Sequence, residues 1–502
     1  MKTSRIPILQ TILLLSMYWG TLTSIAAQPC KEVVGYYPNW QWYDRAKLVN
    51  PASIDYSKYT ILNYAFFSPQ PDGTINNTDT WADENLLLGE MNWSTNTRDF
   101  TTTIVYHAHQ NGVKLLPSIG GWTLSNNFPS IAADPTKRGA FAQACVNLIS
   151  AYQFDGIDLD WEYPGFAEHG GTPQDKANFT LLLQEIRTAI DNYGASINKT
   201  MLLTIAVGAA PDKMDDVEWN NIVQVVDIIN LMSYDFFGAF DPITNHNSPL
   251  FAPAQGNPEF NIHKSATRLI NTYGVAPNQI TVGVPFYGRS HTTTGTPGLH
   301  VPGTGNADMI TFQADQGTPL YYNVIANMNL FDRYWDPLAA VPYLLGKGSL
   351  NTFVSYDDPV SVAKKAEYVV DYGLRGAIIW EITGDYLETA PGSGVIASTP
   401  LADTLNHTFC NYFGTPTGQK QSFADNPTVS VAPNPSRGQV QLTGLQTTAH
   451  VQLIDVTGNI LISRNIEPGD NTLDLSSLSK GLYFLAVESG KMRASFKLIL
   501  VD

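Results

Sequence analysis

Between about residues 30 and 400, short apolar runs alternate with amphipathic ones, and few folds satisfy that pattern. Eight runs read as strands: Val33–Tyr37, Ile61–Phe67, Lys114–Ile119, Gly156–Glu162, Leu202–Val207, Ile228–Tyr234, Ile280–Tyr287 and Gly376–Glu381. Helical spacing lies between several of them. Over Ala177–Tyr193 it sets Phe179, Leu182, Leu183, Ile186 and Ile190 on one face, with Gly194 as the expected stop. Alternating β and α elements imply a parallel sheet with right-handed crossovers. Eight such units predict an α/β fold, a closed (β/α)8 barrel. The interval between the seventh and eighth strands is too long for one helix, so residues 291–355 are expected to form a small α+β insertion.

The ends of the chain read differently. Lys2 and Arg5, the apolar stretch from Ile6 to Trp19 and the small residues Ser24-Ile25-Ala26-Ala27 have the layout of a signal peptide over 1–27. Gln10, Thr11 and Ser16 interrupt that stretch, which argues against a membrane anchor. No other run is apolar enough to span a bilayer. The barrel is placed at 28–412. Thr415-Pro416-Thr417-Gly418 and Asp425-Asn426-Pro427 mark a linker over 413–427. From 428 to 502, short alternating strands between turn signals predict a small β-sandwich: Thr428–Ala432, Gln439–Leu442, Val451–Asp455, Tyr483–Val487 and Ser495–Val501. The formal charge of −16, with no basic patch, excludes nucleic-acid backbones as partners. Three cysteines do not make a disulfide scaffold. Cys145 has helical spacing and is expected to be a buried thiol. Cys30 and Cys410 flank the barrel, and whether they pair is open.

Chemistry concentrates in Phe154-Asp155-Gly156-Ile157-Asp158-Leu159-Asp160-Trp161-Glu162. Side chains alternate along a strand, so Asp158, Asp160 and Glu162 share one face, while Ile157, Leu159 and Trp161 share the other. The apolar set packs on helices, so the acids point into the barrel. Buried carboxylates without cations are costly. Crowded like charges raise one pKa and turn that group into a proton donor near neutrality. Metal-ligand spacing is missing: His107 and His109 alternate rather than pair. No phosphate loop is present, and neither metal nor cofactor is expected.

Residues 155–162 resemble the Asp-x-x-Asp-x-Asp-x-Glu signature of glycoside hydrolase family 18, the chitinase family. Ser118-Ile119-Gly120-Gly121-Trp122, Met232-Ser233-Tyr234-Asp235, Val284-Pro285-Phe286-Tyr287-Gly288-Arg289, Phe353–Asp358 and Ile379-Trp380-Glu381 resemble further motifs of that family in order. The resemblance implies Glu162 as general acid and the substrate's own acetamido oxygen as nucleophile. It implies that Asp160 orients the acetamide, Asp158 shares its proton, Tyr234 donates to the acetamide oxygen and Asp235 contacts the distorted sugar. Trp380 would form the floor under the sugar being cleaved, with Trp122, Tyr36 and Phe67 lining the cleft. Gly120 and Gly121 would keep the floor open. Arg289 would bond a sugar hydroxyl or pair with a cleft carboxylate. Asp155 is expected to be structural, and Ser118 to bond Asp155 or Asp158. Trp335 and Asp336 on the insertion are further candidates for substrate contact.

The tail segments Val431-Ala432-Pro433-Asn434-Pro435, Ile454-Asp455-Val456-Thr457-Gly458 and Leu478–Phe484 resemble the sorting domain of the type IX secretion system. The alternative is a carbohydrate-binding module, but the tail has few aromatics. Together these resemblances imply a secreted, monomeric endo-chitinase whose partners are chitin and the type IX machinery, outside the cell or on its surface. An endo-β-N-acetylglucosaminidase acting on N-glycans and a non-catalytic chitin-binding lectin are the alternatives.

Overall fold

The computed structural model describes residues 29–412 and, in the C-terminal part, 430–445, 447–455, 460–468, 472–489 and 492–501. The leader, the linker and the turn at Thr457-Gly458-Asn459 lie outside the described residues. Eight parallel strands form the core: Glu32–Pro38, Ile61–Pro69, Lys114–Gly120, Gly156–Asp160, Leu202–Gly208, Ile228–Met232, Ile280–Pro285 and Gly376–Trp380. Each pairs with its neighbour in the chain. The first closes the ring by pairing with both the second (Val34 opposite Ile61) and the eighth (Glu32 opposite Gly376). Outward residues such as Val33, Leu62, Leu115, Ile157, Leu203 and Ile229 are fully buried against the surrounding helices.

Inside the ring, the residues sort by height. At the lower end Val34, Ile61, Leu116, Leu202 and Ile228 form an apolar plug. Two residues further along each strand, the same inward face carries Tyr36, Asn63, Ser118, Asp158, Thr204 and Asn230, all buried. A strand's period of two thus converts the plug into a polar shelf one layer higher.

The helix expected to stop at Gly194 runs from Asp175 to Ser196. Gly194 is buried there, and a Cβ would meet the Lys199 carbonyl oxygen at 2.4 Å, so the glycine permits close packing rather than ending the helix. The insertion is an antiparallel sheet of Arg289–Thr292, Thr352–Ser355, Val341–Gly346 and Phe331–Asp336, with a helix at Tyr321–Ala326. The tail forms one sheet of Ser430–Ala432, Gln439–Thr443 and Thr472–Asp474, and another of Ile460–Ile466, Ala449–Asp455, Gly481–Ser489 and Met492–Leu500. Val440, Leu442 and Leu473 of the first share a core with Leu453, Leu485 and Leu498 of the second, which makes a sandwich. Cys30 and Cys410 are joined by a disulfide across a sequence separation of 380, and Cys145 is a buried free thiol. Among the described residues no helix is long and apolar enough to cross a membrane.

Candidate active site

The polar shelf rises to the barrel mouth along the fourth strand. Asp158 is fully buried and collects donors from four other strands. Tyr36 Oη and Ser118 Oγ donate to Oδ2 at 2.7 and 2.8 Å; Thr204 Oγ1 and Asn230 Nδ2 donate to Oδ1. Burial raises the Asp158 pKa, and these donors oppose the rise. One layer higher, Asp160 is 3 % exposed and its Oδ1 has no hydrogen-bond partner among the described residues. Burial, then the charges of Glu162 and Asp158, push its pKa well above the usual carboxylate range.

Glu162 follows just past the strand end, half-buried. Burial pushes it up to about 7, and the Asp235 carboxylate adds to the rise, against hydrogen bonds from Tyr163 and the Trp122 amide. A carboxyl with that pKa carries its proton into the neutral range, as a general acid requires. Outward-facing Ile157, Leu159 and Trp161 fix this geometry, since all three are buried among the helices.

Tyr234 and Asp235 lie beyond the end of the sixth strand. Asp235 has a left-handed backbone, φ +58°. Its Oδ1 accepts from Tyr287 Oη and Arg289 Nε, both at 2.6 Å. Of the two roles expected for Arg289, the structure shows the pairing with a cleft carboxylate.

These groups face a cavity of about 1,120 Å³, lined by Asp160, Glu162, Tyr234, Asp235 and Trp380. Trp380 stacks on Phe66 (centroids 5.6 Å apart, planes at 18°), with Tyr36 and Trp40 beside it. Trp122 is 52 % exposed on the rim, 4.7 Å from the His169 ring. Tyr163, Phe236, Phe240 and Phe260 also line the cavity. Lys213 joins them, its ammonium 4.1 Å from the Phe166 ring centre.

Three expectations need correction. Phe67 does not line the cleft: it is fully buried, packed on Tyr64 and Phe154. The pairing register slips by one residue between Ala65 and Phe67, so the inward place falls to Phe66. Gly121 does not face the cavity either. It has φ +90°, and a Cβ would meet the Phe66 ring at 2.8 Å, so it makes room behind that ring. Trp335 and Asp336 are absent from the cavity wall; Asp336 is buried 2.9 Å from His246 Nε2 and accepts the Leu338 amide. Tyr36 does line the cavity, its ring beside Trp380; it is 1 % exposed and its hydroxyl donates to Asp158.

Asp155 sits at the far end of the strand, bonded to His109 Nε2 (2.8 Å) and the Leu115 amide (2.9 Å). Ser118 bonds Asp158 and not Asp155. Sequence reasoning missed Phe66, Trp40, Tyr163, Lys213 and the phenylalanines after the sixth strand. The run Asp235-Phe236-Phe237-Gly238-Ala239-Phe240, directly beyond a strand end, was a usable signal for the last group. Among the described residues no three His, Cys, Asp or Glu side chains are grouped to hold a metal ion.

Residues 32–385 match the family model described as glycosyl hydrolases family 18, and 430–501 match a secretion system C-terminal sorting domain. Chitinase A1 of Niallia circulans is 35 % identical over 82 % of this chain, which spans 65 % of that protein's length. Chitinase 1 of Aphanocladium album is 32 % identical over 72 % of this chain and 83 % of its own. The solved chitinase ChiA74 of Bacillus thuringiensis superposes with a TM-score of 0.67 at 29 % identity, covering 94 % of this chain and 84 % of that one. From its acidic fourth strand, its barrel and these matches, the chain belongs to glycosyl hydrolase family 18.

Proposed function

We propose that the chain is a secreted, endo-acting chitinase that hydrolyses β-1,4 bonds between N-acetylglucosamine units with retention at the anomeric carbon. One observation carries this reading: Asp160 is buried with a free Oδ1, between the hydrogen-bonded Asp158 and the proton-bearing Glu162, in a cavity floored by Trp380. A buried carboxylate with no cation is stabilised when positive charge develops beside it. The relatives' names as chitinases support the substrate.

In this mechanism Glu162 gives its proton to the glycosidic oxygen as that bond breaks. The acetamido carbonyl oxygen attacks the anomeric carbon from the opposite face, forming an oxazolinium ion. Asp160 orients the acetamide and offsets its positive charge, and the Tyr234 hydroxyl donates to the acetamide oxygen. Glu162, now a carboxylate, takes a proton from water as the water opens the ring. Asp158, held by Tyr36 and Ser118, takes the proton it shares with Asp160, which leaves Asp160 as the carboxylate when the positive charge develops. Asp235 contacts the distorted sugar, and Trp380 and Trp122 pack on sugar faces. The sorting domain would hand the chain to the type IX machinery, placing it outside the cell or on its surface.

The test is product analysis by mass and anomer after brief digestion of chitin oligomers. Internal cleavage yielding β-anomers is expected. Initial α-anomers, or comparable turnover of cellulose oligomers or fully deacetylated chitosan, would overturn the proposal. Faster release of intact glycans from high-mannose glycoprotein than cleavage of chitin oligomers would move the substrate to N-glycans.

A further inference from the structure

Thr244-Asn245-His246-Asn247-Ser248 is buried along its whole length although every side chain in it is polar. Such a run is costly unless its groups are bonded, so its partners show what it ties together. Thr244 Oγ1 donates to the Gly298 carbonyl (2.8 Å), and His246 Nε2 lies 2.9 Å from Asp336 Oδ2. The Asn247 amide donates to Ser355 Oγ at 2.7 Å. Those three partners belong to the insertion. Ser248 Oγ donates instead to the Ser233 carbonyl at the end of the sixth strand, also at 2.7 Å.

Asn247 reaches the site itself. Its Oδ1 accepts from the Asp235 amide at 2.9 Å, and its carbonyl accepts from the Phe236 amide at 3.1 Å. Asp235 is the residue with φ +58°, a left-handed conformation that few non-glycine residues adopt, aspartate and asparagine more readily than the rest. With the turn so fixed, the carboxylate meets Tyr287 and Arg289, and Arg289 opens the first strand of the insertion.

We propose that Asn247 is a positioning residue: it fixes the backbone turn at Asp235 and, through Ser355, makes the placement of that carboxylate depend on the insertion. The inference rests on the chitinase reading of the cleft, but its readout need not. Asp235 helps hold the Glu162 proton, while Tyr163, the Trp122 amide and Asp160 also face Glu162. Moving the Asp235 carboxylate therefore lowers the pH at which Glu162 titrates.

The experiment follows the Glu162 carboxyl by carbon NMR of the full chain with labelled glutamate, assigned by its loss in Glu162→Gln. Asn247→Ala and Ser355→Ala are each expected to lower the titration midpoint by about half a pH unit or more. Neither should lower it further in an Asp235→Asn background. Thr244→Val, which loosens the same segment elsewhere, should reduce the thermal midpoint and leave the titration in place. Where chitin oligomers are cleaved, kcat/KM of Asn247→Ala should fall about tenfold and its alkaline limb should follow the NMR midpoint. A thermal loss with unmoved titration in both variants, or equal shifts with and without the Asp235 carboxylate, would overturn the inference. A wild-type chain that cleaves no chitin would sink the chitinase reading and leave the titration to judge Asn247.

Discussion

At the scale of the residue, the cleft depends on a proton held by Glu162. Exchanging its carboxyl for an amide removes the donor without changing size. Glu162→Gln is expected to lower kcat by roughly 10²- to 10⁴-fold, with chitin-oligomer affinity by calorimetry little changed. The sign of the pH dependence follows. The acid works while protonated, so kcat/KM should fall as pH rises through about 7, where Glu162 titrates. A profile flat to pH 9 would mean that Glu162 is not the donor. Parity along one strand made the three acids legible, because Ile157, Leu159 and Trp161 between them can only face helices. Partners were less legible. Ser118 bonds Asp158 rather than Asp155 because Asp158 stands opposite it in mid-strand, while Asp155 precedes the strand and is held by His109 and the Leu115 amide; Arg289 found Asp235 across a span of 54 residues.

At the scale of the element, all eight barrel strands were readable to within a residue or two. A short apolar run between clear stops reads as a strand buried on both faces. What a period of two does not show is a slip in register, and the second strand has one. The slip exchanges Phe66 for Phe67 at the cleft and calls for Gly121 behind the ring. Gly121→Ala adds a methyl 2.8 Å from that ring on a backbone of φ +90°. The expected cost is roughly 1–3 kcal/mol in denaturant unfolding of the barrel, with a raised KM for chitin oligomers as Phe66 and Trp380 shift. The strands Ile460–Ile466 and Thr472–Asp474 escaped notice for another reason. Ile460–Ile466 carries Ser463, Arg464 and Asn465 in succession, which blurs the alternation, and Thr472–Asp474 has three residues. The buried run 244–248 escaped because polar residues in a connection read as a surface loop, and only tertiary partners reveal otherwise.

At the scale of the whole molecule, the sorting sandwich has its own core, separate from that of the barrel. Deleting 428–502 should therefore leave turnover of soluble oligomers unchanged while the protein accumulates in the periplasm, as read by fractionation and activity assay. Lost turnover with normal export would contradict both assignments. The disulfide between Cys30 and Cys410 has a mechanical consequence. Cys410 lies at the end of the helix Pro400–Asn411, just before the tail departs, and Cys30 just before the first barrel strand. If the chain is held by its tail while its cleft grips chitin, as the proposed function would have it, the connection between the two carries tension. That load passes from the tether through sulfur to a strand hydrogen-bonded on both sides, and bypasses the last helix. In a pulling experiment, adding a reductant should let this helix peel away at lower force, while the oxidised ring stays whole until the strands themselves part.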